Sequence, residues 1–138
     1  MYKIRTLLIF IIFLFLSGSC LALEAVRIDF IDVGDSGDAI LIKTLDNNAL
    51  IDSGGLLYGY GLMEYLRKHN AVKLDYFIIT HPHLDHMAGA FFIIPRIAIN
   101  QIYDNGQELS DGDDIYRWYR KLVRTRGYYL SIKAGDRL

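Results

Sequence analysis

A mixed α/β fold, with one sheet covered by helices, is what this sequence predicts, and three observations carry it. Short runs such as Val26–Val33 alternate apolar and polar residues, as strands do. Gly61–Asn70 and Ile115–Arg126 carry the wider apolar spacing of helices. After an opening of three strands the two kinds alternate along the chain. The 138 residues allow one domain at most. Hydrophobic residues make up 52% and charged residues 22%, which excludes a disordered or low-complexity chain. A net charge of −1 lacks the basic footprint of a dedicated nucleic-acid binder. A single cysteine excludes a disulfide framework and a cysteine-built zinc cluster.

Residues 1–22 read as an address rather than as part of the fold. Lys3 and Arg5 precede an unbroken apolar run, Leu7–Leu16, and small residues follow up to Ala22. That is the three-part pattern of a secretory signal peptide, with cleavage expected after Ala22 and a mature start at Leu23. Two other fates compete. An uncut N-terminal membrane anchor is disfavoured because Ser17-Gly18-Ser19 leaves the apolar core short of the roughly 20 residues a span needs. Leu16–Cys20 also resembles a bacterial lipobox, in which Cys20 would be acylated, although Ser17 stands where Leu is preferred. The expected location is therefore outside the cytoplasm, secreted or periplasmic, with the membrane touched only through this segment. Losing Lys3 and Arg5 moves the net charge from −1 to −3.

The elements of residues 23–138 follow in order. Val26–Val33 predicts a strand with one wet face, and Gly34–Asp38 a turn. Ala39–Thr44 is a second strand, Asp46–Asn48 a hairpin turn and Ala49–Asp52 a third strand. Ser53-Gly54-Gly55 ends it. Gly61–Asn70 predicts a helix. Leu74–Thr80 is nearly all apolar, so a strand buried on both faces is expected. Met87–Ile94 reads as helical and is stopped by Pro95. Ile97–Tyr103 is a further strand. Ile115–Arg126 is a helix with acids at its start and bases at its end, as the helix dipole favours. Tyr128–Lys133 is a last strand.

The chemistry concentrates between the fourth strand and the helix after it. Three of the four histidines, His81, His83 and His86, fall within six residues together with Asp85. Neutral imidazole and carboxylate are ligands for zinc and similar divalent metals. In an extended loop, residues two apart point the same way, so His81 and His83 can grip one ion. Asp85 and His86 lie where the chain enters a helix and would face a second position. Pro82 stiffens the loop. A single histidine is ordinarily a satisfied core or surface residue; this cluster after a buried strand has little structural use. His69 stands in a predicted helix and reads as surface.

Thr80-His81-Pro82-His83-Leu84-Asp85-His86 resembles the signature of the metallo-β-lactamase fold superfamily. Phe30–Gly34 followed by Gly37–Ile42 is similar to the opening strands of its ComEC-like branch, which includes the extracytoplasmic hydrolase-like domain of a DNA-uptake protein. Leu50–Gly55 and Leu74–Ile79 resemble the motifs that follow. The resemblance implies an αββα sandwich binding one or two metal ions, usually zinc. His81 and His83 would hold the first ion, Asp85 and His86 the second. Asp85 would also orient the attacking hydroxide, and Asp52 would support the loop without touching metal. The implied reaction is metal-dependent ester hydrolysis, with phosphodiesters or nucleic acid as the substrate class of this branch. A thioester or lactone hydrolase is an alternative within the superfamily. A non-catalytic metal-binding fragment, or a half-domain needing a partner, is the alternative outside catalysis.

Two features depart from the pattern. The glycine turn carries an extra residue at Asp35-Ser36. Full sites of the superfamily need a further histidine, a bridging acid and a last histidine downstream, whereas no histidine follows His86. The chain is therefore expected to be the N-terminal half of such a sandwich, to bind zinc weakly and to hydrolyse little alone. The inner face of the Val26–Thr44 strands is expected to lie exposed. The glycine clusters lack the lysine and helix of a phosphate loop. Lys121, Arg124 and Arg126, with Tyr128 and Tyr129, read as a solvated helix end before they read as a phosphate contact.

Overall fold

The structure is a computed structural model that describes residues 26–34, 37–109 and 114–137. The predicted signal segment, with Cys20, lies outside these residues, as does the extra turn residue at 35–36. Six strands form one sheet in sequential order: β1 Arg27–Phe30, β2 Ile40–Lys43, β3 Asn48–Ile51, β4 Lys73–Ile79, β5 Ala98–Asp104 and β6 Tyr129–Ser131. β1 to β3 form an antiparallel meander, and β3 to β6 are parallel. The helices are α1 Gly59–Lys68, entered through a 3-10 turn at Leu56–Tyr58, α2 Leu84–Met87, α3 Ala90–Ile93 and α4 Asp114–Arg124. No helix among the described residues is long and apolar enough to cross a membrane.

Local chemistry explains the boundaries. In the β2–β3 hairpin the Thr44 hydroxyl accepts the backbone N–H groups of Asp46 and Asn47. α1 stops at Lys68 rather than Asn70 because Asn70 turns left-handed at φ 55°. The Ala71 N–H then reaches the Leu66 carbonyl at 2.8 Å and the Asn70 N–H that of Arg67 at 3.1 Å, which together cap the helix. The helix expected over Met87–Ile94 begins earlier, at Leu84, and is two short pieces joined at Ala88-Gly89.

The sheet has one covered face and one open face. Leu41, Leu50, Phe77 and Ile102 are neighbours in register across β2 to β5, and all four are fully buried. They form the core with Leu62 and Leu66 of α1, Ile93 of α3, and Tyr119 and Val123 of α4. Each such side chain contributes about 1.5–3 kcal/mol on burial. The next residues along the strands face the other way: Phe30, Ile40, Ile51, Ile78, Tyr103 and Leu130 form a second row in register. The middle of that row is half-buried, while Phe30 at one end is 81% exposed and Leu130 at the other is exposed. On β1 the apolar alternation thus marks the open face: Val26, Ile28 and Phe30 are exposed, and Asp29 points toward the covered side.

A buried carboxylate fastens the far edge. Asp104, at the end of β5, accepts hydrogen bonds from Tyr119 (3.1 Å) and Arg120 (3.0 Å) of α4 and from Tyr129 (2.8 Å) of β6. Burial first, then the hydrogen bond to Asp104, pushes the Tyr129 phenol up to about 12, and the same causes raise Tyr119.

Two outcomes follow from this architecture. In urea unfolding, Phe77→Ala costs about 3–5 kcal/mol, whereas Phe30→Ser stays within about 0.5 kcal/mol of the parent because its ring is already in water. A comparable loss for both would mean that the outer face is covered. The second outcome concerns alkaline pH. The unfolded phenol ionises near pH 10, before the folded one. Stability therefore falls as pH rises from roughly 10 to 12, and Tyr129→Phe loses less over that interval than the parent.

Candidate metal centre

The parallel strands end side by side, and the chemistry gathers beyond their carboxyl ends, where open α/β sheets place ligands. β3 delivers Asp52 and Ser53, and β4 delivers Thr80 to His86. Asp52 is buried and held at φ 56°, a left-handed conformation unusual for a residue with a side chain. Its N–H still bonds the Ile78 carbonyl at 2.8 Å, continuing the β3–β4 pairing by one step. The twist aims the carboxylate across the strand end at the histidine loop.

The carboxylate is fully engaged. Oδ1 accepts the Thr80 N–H at 2.7 Å; Oδ2 accepts the Thr80 hydroxyl at 2.6 Å and meets His86 Nδ1 at 2.9 Å. The Thr80 oxygen also meets His81 Nδ1 at 3.0 Å. Counting protons assigns the tautomers. An ionised carboxylate only accepts, so His86 carries its proton on Nδ1. The single Thr80 hydroxyl proton goes to Asp52, so His81 must donate from its own Nδ1. Both imidazoles then turn a lone pair outward on Nε2, the form in which histidine binds metal.

The remaining predicted ligands lie close by. The His81 ring centroid is 4.0 Å from that of His86 and 4.7 Å from that of His83. Asp85 Oδ2 is 3.7 Å from His86 Nε2. His83 is exposed and Asp85 and His86 are partly so. The structure therefore brings His81, His83, Asp85 and His86 to one surface at the end of β4, with Asp52 beneath. The donor chemistry fits zinc, but the rings rest on each other: among the described residues no three such side chains stand at metal-holding distances. His69 is remote, at the opposite end of β4, where it stacks on Tyr65 and bonds Arg27.

Backbone contacts fix the loop. The Ser53 N–H and hydroxyl both donate to the His86 carbonyl, at 2.8 and 3.0 Å. The Gly89 N–H donates to the Gly54 carbonyl at 3.0 Å. Gly89 allows this approach, since a Cβ there would lie 2.0 Å from the Ser53 carbonyl oxygen. Gly37, at φ 93°, packs equally close on Asp85: a Cβ would lie 1.9 Å from its carbonyl oxygen. Sequence reasoning missed the roles of Thr80 and Ser53. Thr80 had one available signal, its place between a buried strand and the first histidine.

The tautomer assignment has a direct check. With the imidazoles neutral, nitrogen NMR shows His81 and His86 protonated at Nδ1. Thr80→Val releases His81 to a mixture of tautomers and leaves His86, which bonds Asp52 directly, unchanged.

The fold has known counterparts. A provisionally named metallo-beta-lactamase from Thermotoga maritima superposes with a TM-score of 0.58 at 17% identity, covering 82% of this chain and 61% of that one. A metallo-beta-lactamase from Cronobacter sakazakii with a HARLDQ motif gives 0.47 at 19% identity, over 55% of this chain and 29% of that one. A subclass B3 metallo-beta-lactamase of Bradyrhizobium japonicum gives 0.43 at 23% identity, over 58% and 30%. The chain thus spans less than a third of the length of these two lactamases. No curated protein matches it. The metallo-beta-lactamase superfamily profile matches residues 32–137, three-quarters of the sequence, and with the six-stranded mixed sheet this makes the chain a member of that superfamily.

Proposed function

We propose that this chain supplies the N-terminal metal-binding half of a metal-dependent hydrolase that cleaves an ester bond. The observation that carries the reading is the hydrogen-bonded set Asp52–Thr80–His81–His86, which leaves two Nε2 lone pairs free, that of His86 lying 3.7 Å from Asp85 Oδ2. In this reading His81 and His83 hold one zinc ion, and Asp85 and His86 a second. Zinc supplies a Lewis acid and lowers the pKa of water to near neutrality. The chain's own residues do the rest. Asp52 and Thr80 hold two imidazoles in one tautomer, and Asp85 offers an acceptor at the protein surface where water can approach. Pro82 and the Ser53–His86 bonds keep the loop from collapsing. The ComEC-like branch, with phosphodiester substrates, belongs to the same proposal and rests on Phe30–Gly34 and Gly37–Ile42. So does export, which rests on the tripartite pattern of residues 1–22; mass spectrometry of exported protein reads the mature terminus directly.

The test is zinc titration of the full chain by calorimetry. Zinc binds, His81→Ala and His86→Ala each weaken it at least tenfold, and Asp52→Asn weakens it about 10–100-fold without touching a ligand. Unchanged affinity in all three variants would remove the reading. Hydrolysis of bis(p-nitrophenyl) phosphate by the zinc-loaded chain is slow and nearly insensitive to His83→Ala, because two protein ligands per ion fall short of the three usual at catalytic zinc.

A further inference from the structure

A cleft of about 300 Å³ opens beside Asp85, between the 3-10 turn after β3, the start of α2 and the first turn of α4. Its walls are Leu56, Leu57, Tyr58, Leu84, Ala88 and Ile115, and among the described residues Asp85 is the one charged residue lining it. The volume sits at the lower end of the roughly 300–1,000 Å³ of small-molecule sites. Leu56, Leu57, Tyr58 and Leu84 all expose large apolar surfaces there. Scattered exposed apolar residues need no explanation, but four converging on a concavity do.

We infer that this cleft receives an uncharged alkyl or aryl group of the substrate, placed next to the bond to be cleaved. The inference rests on the hydrolase reading above and narrows its substrate class. Three features support it. The cleft shares Asp85 with the proposed metal centre, so a group lodged there lies beside the reacting bond. Among the described residues no cation lines it, so an anionic extension such as a phosphate chain finds no partner on its walls. The walls are preformed, which spares a ligand the cost of ordering them. The Tyr58 ring lies directly on Gly34, where a Cβ would come within 1.9 Å of it, and Ala88 is buried in the segment pinned to Ser53-Gly54.

The cationic cleft along α4 is a weaker receptor. It is lined by Arg117, Arg120, Lys121 and Arg124, but Arg117 pairs with Asp114, Arg120 with Asp104 and Arg124 with Glu108. Most of its charge is already answered by acids of the same chain.

The test uses a neutral, non-reacting probe, hexanamide, against acetamide, by saturation-transfer NMR on the full chain without added metal. Hexanamide binds at least fivefold more tightly, with saturation strongest at its terminal methyl. Leu84→Ser and Leu56→Ser each weaken it at least threefold. Both side chains are partly in water, and the amide spectrum verifies that the variants fold; if one does not, the other decides. Equal binding of the two amides, or full retention in a folded variant, overturns the inference. So does hexanamide binding that disappears as the chain self-associates, since the cleft would then belong to a second copy. The zinc titration separates the two readings. Zinc binding without hexanamide binding removes the cleft assignment alone. Hexanamide binding without zinc binding leaves an apolar binding site but overturns its assignment to a hydrolase substrate.

Discussion

The Asp52 carboxylate is the constraint on which the site depends. It is buried, it sits on a left-handed residue at the end of β3, and it meets a backbone N–H, a hydroxyl and an imidazole from the neighbouring strand and loop. An ionised group removed from water survives only when its lone pairs are met by donors. That requirement works in both directions. The donors must be held where the carboxylate needs them, and the histidines, as donors, lose their choice of tautomer. One acid thus converts the end of a parallel strand pair into a surface whose nitrogens face outward as acceptors.

Around this point the molecule relies on backbone more than on side chains. Ser53 and Gly54 are laced to His86 and Gly89 by three hydrogen bonds, and Gly37 and Gly89 remove the bulk that would push the segments apart. At the far edge Asp104 does for α4 and β6 what Asp52 does for the histidine loop. Both acids sit at carboxyl ends of parallel strands, and both draw hydroxyl donors to themselves. The difference lies in what surrounds them: Asp104 is enclosed by two tyrosines and an arginine, whereas Asp52 supports residues that reach the surface.

Much of this was legible in the sequence, for identifiable reasons. The nearly all apolar Leu74–Ile79 run predicted a strand, and Phe77 is at the centre of the core. Cover on both faces was also expected, but only one face has it: Asp75, Tyr76 and Ile78 are half-buried. The helix over Ile115–Arg126 showed its start in acids and its end in bases. What the sequence did not show depended on contacts distant along the chain. Alternation in Val26–Phe30 marks two faces but not which one meets the helices; the exposed inner face was expected only from the resemblance to half a sandwich, and on β1 the apolar row does take the open side. Gly89 splits a run that reads as one helix, because its role is to touch Ser53, far upstream. Thr80 looks like an ordinary strand end until its single proton is followed to Asp52.

The spacing of the Asp52 contacts sets an order of events during folding. The bonds from Asp52 to Thr80 and to His86 span 28 and 34 residues of chain. Closing a loop of that length costs entropy that one hydrogen bond does not repay, so the contacts form once β3 and β4 already lie together. In the proposed reading, the histidines of this chain would therefore meet an incoming ion after the sheet has assembled. In small zinc domains the ion organises an otherwise unfolded chain; here the sheet would organise the ligands, and capture of a metal would be the last event of folding.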